Sequence, residues 1–303
     1  DIWGHSATAT WEVSDYLTVK SLTGYREMHL KHRAGLSGGG FVVNWMDDSG
    51  SNHDSGNVDD IWARVYNADG SVAVSDFRMN TTTGSDQQQP TVIGLANGGF
   101  AAAWESYNQD GSNDGIAGRI YDASGSPLTT ADFIINTQTS GQQYYPEMAT
   151  LTDGKFVVAW YDEQYSDIRF RLYQADGTAV GDEIAANVHD YSTQYYPSVS
   201  ALVDGGFVIT WEDHGGSSHN GGQNSDIYGQ LYDAAGARVG GEFRVNATQF
   251  TGQQYEPSVV GLKSGGFVVA WRDDQGSHND GTGAGSSQDV WARVFNADGT
   301  QAV

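Results

Sequence analysis

The sequence predicts an all-β fold, a five-bladed β-propeller with four antiparallel strands per blade, and three observations carry that prediction. First, one apolar run behind a turn glycine occurs five times. It opens as Gly39-Gly40-Phe41-Val42-Val43-Asn44-Trp45 and returns with Phe100, Phe156, Phe207 and Phe267, at spacings of 59, 56, 51 and 60 residues. A recurrence of this size marks an array of equivalent supersecondary units. Second, each interval holds short apolar or alternating runs divided by turn residues and shows no helical periodicity. Third, the two ends of the chain complement each other. The last copy stops at Asn296-Ala297-Asp298-Gly299-Thr300-Gln301-Ala302-Val303, matching Asn67 to Val74, while Val13-Ser14-Asp15-Tyr16 resembles Val74-Ser75-Asp76-Phe77.

The repeat over residues 38–96 serves as template. Phe41 to Trp45 is nearly continuously apolar, as a strand buried on both faces is, and is expected to be the inner strand of its blade. The polar loop Asp47 to Asn57 leads to a second strand, Asp60 to Tyr66, with period-two alternation. Asn67-Ala68-Asp69-Gly70 then turns the chain, the glycine supplying the positive φ a tight hairpin needs. A third strand is expected near Asp76 to Asn80 and a fourth from Pro90 to Leu95, where proline is tolerated at a strand start. The single domain 1–303 thus divides into blades near 38–96, 97–152, 153–203, 204–263 and 264–303. Residues 13–37 are expected to complete the last one, closing the ring by a shared blade. Residues 1–12 are surplus, either a tail or, since Asp1-Ile2-Trp3 echoes Asp60-Ile61-Trp62, the remnant of a preceding repeat.

Charge narrows the partners. The formal net charge of −23, with only 15 Lys and Arg, argues against nucleic acid and anionic membrane surfaces, both of which require clustered cations. No apolar stretch approaches the roughly 20 residues of a membrane helix, so membrane insertion is not expected. There is no cysteine, hence no disulfide scaffold. An acidic surface suits a secreted or cell-surface protein. The polar opening at Asp1 fits a removed leader or a fragment of a longer chain.

Three words recur almost throughout: Asp204 to Trp211, Asp60 to Gly70, and Val245 to Gln253. On these the chain resembles the propeller-like repeats of large secreted bacterial proteins, including RTX-type calcium-binding and adhesin chains. The nonapeptide glycine-aspartate repeats that define RTX domains are absent. The resemblance implies the fold and a surface location and says little about activity.

The long, varied, polar loops share one end of the blades, and that face is the candidate working surface. It offers Asp47, Asp162, Asp213 and Asp273 two residues after the repeated Trp, with Trp62, Tyr228 and Trp291 in the following strand. Tyr107 lies in a loop, and Tyr144, Tyr195 and Tyr255 follow repeated Gln residues. Carboxylates and amides beside aromatic rings suit sugars, whose hydroxyls take hydrogen bonds while a ring covers the apolar C–H face. The plain alternative is structural. The strand-entry residues Asp60, Asp167 and Asp226 would tie loops, paired with Arg64, Arg119, Arg171 and Arg293, and the Gln would bond a neighbouring blade. Asp110, Asp114, Asp274 and Asp280 sit in oxygen-rich, glycine-flexed loops of the kind calcium uses, without EF-hand spacing. The loop histidines His53, His214, His219 and His278 lack zinc-ligand spacing. Glu105, Glu163 and Glu212 depart from the repeat and are the catalytic candidates of a glycosidase. The leading expectation is a non-catalytic, lectin-like or adhesion module binding glycans or cell-surface polysaccharide at repeated, calcium-assisted sites. The alternatives are a structural or protein-interaction propeller and, third, a glycoside-active enzyme. A lectin predicts several near-equivalent sites; an enzyme predicts one asymmetric, carboxylate-lined funnel.

Overall fold

The computed structural model describes residues 29–36, 39–47, 58–188, 193–215, 225–246, 252–274 and 289–302. Among these there is no helix, and the strands form five antiparallel sheets, four of them four-stranded. The first contains β1 (His29–Gly35), β2 (Phe41–Asp47), β3 (Asp60–Tyr66) and β4 (Val72–Arg78), paired in chain order. The second contains β5 (Gln87–Gly94), β6 (Phe100–Tyr107), β7 (Asp114–Tyr121) and the short β8 (Phe133–Ile134). The third runs β9 (Gln143–Thr150), β10 (Phe156–Asp162), β11 (Asp167–Tyr173), β12 (Ala179–Ala185). The fourth runs β13 (Gln194–Ala201), β14 (Phe207–Asp213), β15 (Asp226–Tyr232), β16 (Arg238–Arg244). The fifth has β17 (Gln254–Gly261), β18 (Phe267–Asp273) and β19 (Asp289–Phe295), with an isolated bridge from Phe295 to Gln301 beginning a further strand.

Two expectations are corrected here. The Phe-to-Trp strands are second in their sheets, not inner. The strands that pack against one another from sheet to sheet are β1, β5, β9, β13 and β17. An apolar run marks burial on both faces, and the second strand has it because its sheet lies between two others. The innermost strand is polar where it opens and so carries a weaker signal. Likewise, the strand at Pro90 to Leu95 pairs with β6 and not with β4, so each sheet begins one strand before its repeat frame. His29–Gly35 therefore pairs with β2 as the innermost strand of the first sheet. Residues 1–28 lie outside the described residues.

Four apolar clusters fill the interfaces between successive sheets. Alternate residues of β2 and β3 (Val42, Ile61, Ala63, Val65) meet Phe100, Ala102 and Trp104 of the next sheet, and the pattern repeats down the array. A stacked ring pair locks strands two and three in every sheet: Phe100–Tyr121 at 4.9 Å, Phe156–Tyr173 at 5.2 Å, Phe207–Tyr232 at 4.9 Å. The tyrosine hydroxyls also reach back a sheet. Tyr121 donates to the Met79 carbonyl (2.6 Å), Tyr173 to Ile135 (3.1 Å) and Tyr232 to Ala186 (2.6 Å).

Candidate functional site

The long-loop end of the sheets is organised by a repeated clasp. Asn80, Asn136, Asn187 and Asn246 follow the outer strand, and each Oδ1 accepts the amide of Ile61, Ile116, Ile168 or Ile227 at 2.7–3.0 Å. Their Nδ2 groups donate to Asp60, Asp110, Asp167 and Asp226. Three of them also donate to Gln143, Gln194 and Gln254 of the following sheet, at 2.8–3.1 Å. Apart from the half-buried Asp110 the clasp is buried, and unpaired it would cost heavily, so the strand-entry Asp60, Asp167 and Asp226 and the repeated Gln are structural. The arginine partners differ from expectation. Arg64 pairs with Asp76, while Arg119, Arg171 and Arg293 donate to the Met79, Ile135 and Val245 carbonyls. The clasp aspartates take Asn instead, with Arg78 and Arg244 adding to Asp60 and Asp226.

Inside this regular frame the inner strands carry a bulge. Between the repeated Gln and Pro the register slips against strand two. The residue before each proline is left-handed: Gln89 (φ 49°), Tyr145 (56°), Tyr196 (49°) and Glu256 (49°). Such a conformation in non-glycine residues costs on the order of 1 kcal/mol and re-aims the side chain. Two buried carboxylates support it. Glu105 accepts the Tyr145 amide at 2.8 Å and Glu212 accepts the Glu256 amide at 3.1 Å, each across a sheet interface.

The backbone repeats here, but the side chains do not. The position before the left-handed residue reads Gln88, Tyr144, Tyr195, Tyr255; its cross-strand partner reads Glu105, Tyr161, Glu212, Arg272. Around Glu212 three groups converge. Its second oxygen lies 2.6 Å from Nε2 of His214, whose side chain is 38% exposed while Glu212 is 1%. The Tyr195 ring stands 5.2 Å from His214, and Arg272 pairs with the exposed Glu256 at 3.5 Å. Tyr145 and Tyr196 lie ring to ring at 4.6 Å, as do Tyr161 and Tyr195. Burial, helped by Asp114, Glu163 and Glu105, pushes the Tyr144 phenol up to about 12, so these rings stay neutral hydrogen-bonding platforms.

The sequence-derived residues distribute as follows. Tyr144, Tyr195 and Tyr255 belong to this central group; Tyr255 lies under Arg272 at 5.1 Å. Asp162, Asp213 and Asp273 are buried at the ends of their strands and Asp47 is half-buried. Burial first, and Glu183 next, raise the Asp162 carboxyl to about 6 against the opposing pull of Arg169. Trp62, Tyr228 and Trp291 are half-buried opposite Trp45, Trp211 and Trp271, and Tyr228 and Trp291 pack on the core clusters. Tyr107 is exposed and lines a cleft of about 510 Å³ with Thr82, Ser85, Asp86 and Gln109. Asp110 is tied to Asn136 and Ser112, and Asp114 is raised by burial and by Asp86 and Asp110. Among the described residues no three such side chains gather to hold a metal ion; Asp280 lies outside them, as do His53, His219 and His278. Glu163 is exposed. Sequence reading gave no role to Tyr145, Tyr196, Glu256 and Arg272, and weighed His214 only as a zinc ligand. Aligning the four Gln-to-Pro segments and asking where they disagree would have found Tyr145, Tyr196 and Glu256.

No protein-family model and no curated protein matches the chain. Solved structures do. An α-L-arabinanase of Penicillium chrysogenum complexed with arabinobiose is 14% identical with a TM-score of 0.58, covering 97% of this chain and 86% of its own. An ulvan lyase from a new family of polysaccharide lyases is 11% identical at 0.60, over 92% and 74%. A Dyadobacter fermentans protein of unknown function is 12% identical at 0.57, over 91% and 82%. At these identities the likeness shows the fold alone, and that fold is propeller-like. Two findings overturn the expectation of a non-catalytic lectin-like or adhesion module. The residues expected to form near-equivalent surface sites do not form them: Asp162, Asp213 and Asp273 are buried at strand ends, Tyr228 and Trp291 pack on the core clusters, and Tyr144, Tyr195 and Tyr255 face different partners from sheet to sheet. The structural resemblance, moreover, runs mostly to proteins described as carbohydrate-cleaving enzymes, in place of adhesin-type repeats.

Proposed function

We propose that this chain is a glycoside-active enzyme that cleaves polysaccharide where β9, β13 and β17 open onto the long-loop face. The observation that carries the reading is the broken symmetry there: an invariant bulged backbone bearing one His–Glu pair, flanking tyrosines and further carboxylates. A catalytic site in a repeat array needs such local divergence, because acid and base must differ. His214 is the proton-transfer group, exposed at its ring and held by the buried Glu212, which acts as a positioning residue. Glu256, exposed and steadied by Arg272, supplies the carboxylate that activates water or meets the developing positive charge on the sugar. Tyr145, Tyr195 and Tyr196 cover the apolar faces of sugar rings. The ring of sheets is proposed to close, the segment 13–28 supplying the outer strand of the fifth sheet on the strength of its likeness to Val74-Ser75-Asp76-Phe77.

The test is reducing-end release from a polysaccharide panel by wild type, His214→Ala and Glu256→Gln. Each variant is expected to lose about 10²–10⁴-fold in kcat while melting like wild type. Full activity in both variants, or no release by wild type from any polymer, would defeat the reading.

A further inference from the structure

Resting on that reading, we infer that the substrate is an uncharged polysaccharide and that the working face excludes uronate and sulfated polymers by charge. Nine segments join strands at this end of the sheets: 48–59, 79–86, 108–113, 135–142, 163–166, 186–193, 214–225, 245–253 and 274–288. Their described residues include Asp59, Asp86, Asp110, Glu163 and Asp274 and no Lys or Arg. The strand ends beneath them add Glu105, Glu212 and Glu256. At the strand ends Arg78, Arg169, Arg244 and Arg272 are each already paired with a carboxylate, Asp60, Glu183, Asp226 and Glu256 respectively, and Arg272 is laid over Tyr255. Acidic groups gathered on one face raise a negative potential over it. A polyanion would meet that field at every sugar, while a β-elimination on uronate would further need a cation to neutralise the substrate carboxylate. An uncharged glycan pays neither cost. It gains the ring stacking of Tyr145 and Tyr196 at 4.6 Å and hydroxyl bonds to carboxylates and amides.

Affinity electrophoresis of the His214→Ala protein through gels containing arabinan or galactan, or polygalacturonate or a sulfated uronate polymer, tests this. Retardation by an uncharged polymer and by neither polyanion is the expected result. The Asp86→Lys, Glu163→Lys double variant should then gain at least about fivefold in affinity for the polyanions at low salt, and lose that gain at high salt. Retardation of the His214→Ala protein by a polyanion equal to or stronger than by the uncharged polymers would overturn the inference. It would leave the proposed cleavage activity standing if wild type releases reducing ends from that same polyanion. Retardation by no polymer, with no release by wild type, would overturn both.

Discussion

Asp162 shows what enclosure does to one carboxylate of the repeat. The carboxylate is fully enclosed at the end of β10, and one oxygen accepts the Gln164 amide at 3.0 Å. Because burial lifts its folded pKa to about 6, above the ordinary 3.8, the native state favours the protonated acid. Its stabilising contribution is therefore complete below about pH 4 and lost as pH rises through about 6. Asp162→Asn keeps an acceptor for Gln164 and removes the titration. Denaturant unfolding should show the variant gaining on the order of 2–3 kcal/mol on wild type at pH 7 and little at pH 4. An equal difference at both pH values would show that ionisation is not the cause. His214 is a contrasting case: one residue beyond Asp213, the counterpart of Asp162 on β14, its ring is partly exposed and held by Glu212.

The inner strand is the element on which both packing and site depend. Its N-terminal half is bent by the bulge that presents Tyr145, Tyr196 and Glu256. Its C-terminal end approaches the neighbouring inner strand so closely that glycine is required. A Cβ on Gly261 would stand 2.2 Å from the Ala201 carbonyl oxygen, and one on Gly94 would stand 2.0 Å from that of Gly35. Where the third sheet has Thr150, its hydroxyl instead donates to the Gly94 carbonyl at 2.6 Å. Gly261→Ala must push two sheets apart and is expected to cost at least about 1–3 kcal/mol in denaturant unfolding. Gly35→Ala, with nothing within 4 Å of the added carbon, is the control expected to stay near wild type. Equal effects at the two positions would rule out the close approach as the cause.

At the scale of the molecule, four of the five sheets have both neighbours or a covered outward face, and the fifth does not. Ile61, Ile116, Ile168 and Ile227 are fully buried at equivalent positions, whereas Val290 is 81% exposed. Ala292 and Val294 share its face. A closed ring would bury this face as the other interfaces are buried. Val290→Asn should then cost about 1–3 kcal/mol, the worth of a buried polar group without a partner. An open face predicts a change within about 0.5 kcal/mol. Thermal unfolding decides between them, and the smaller value would remove the closed ring.

The sequence by itself determined the sheets, their number, the hairpin turns and the face that carries the long loops. Each of these rests on local chemistry: apolar runs at Phe41 to Trp45, glycines such as Gly70 at positive φ, and charge-rich segments that a core cannot take. It also singled out Tyr144, Tyr195 and Tyr255, because aromatic residues beside polar ones stand out in any frame. Tertiary structure alone decided which strand is innermost, since that depends on contacts between sheets some 50–60 residues apart. It also chose Asn80, Asn136, Asn187 and Asn246 as the partners that tie the strand-entry Asp and the repeated Gln into a clasp, and brought His214, Glu212 and Glu256 together across a sheet interface. Burial and partnership are properties of packed neighbours, and no residue carries them in its own position along the chain.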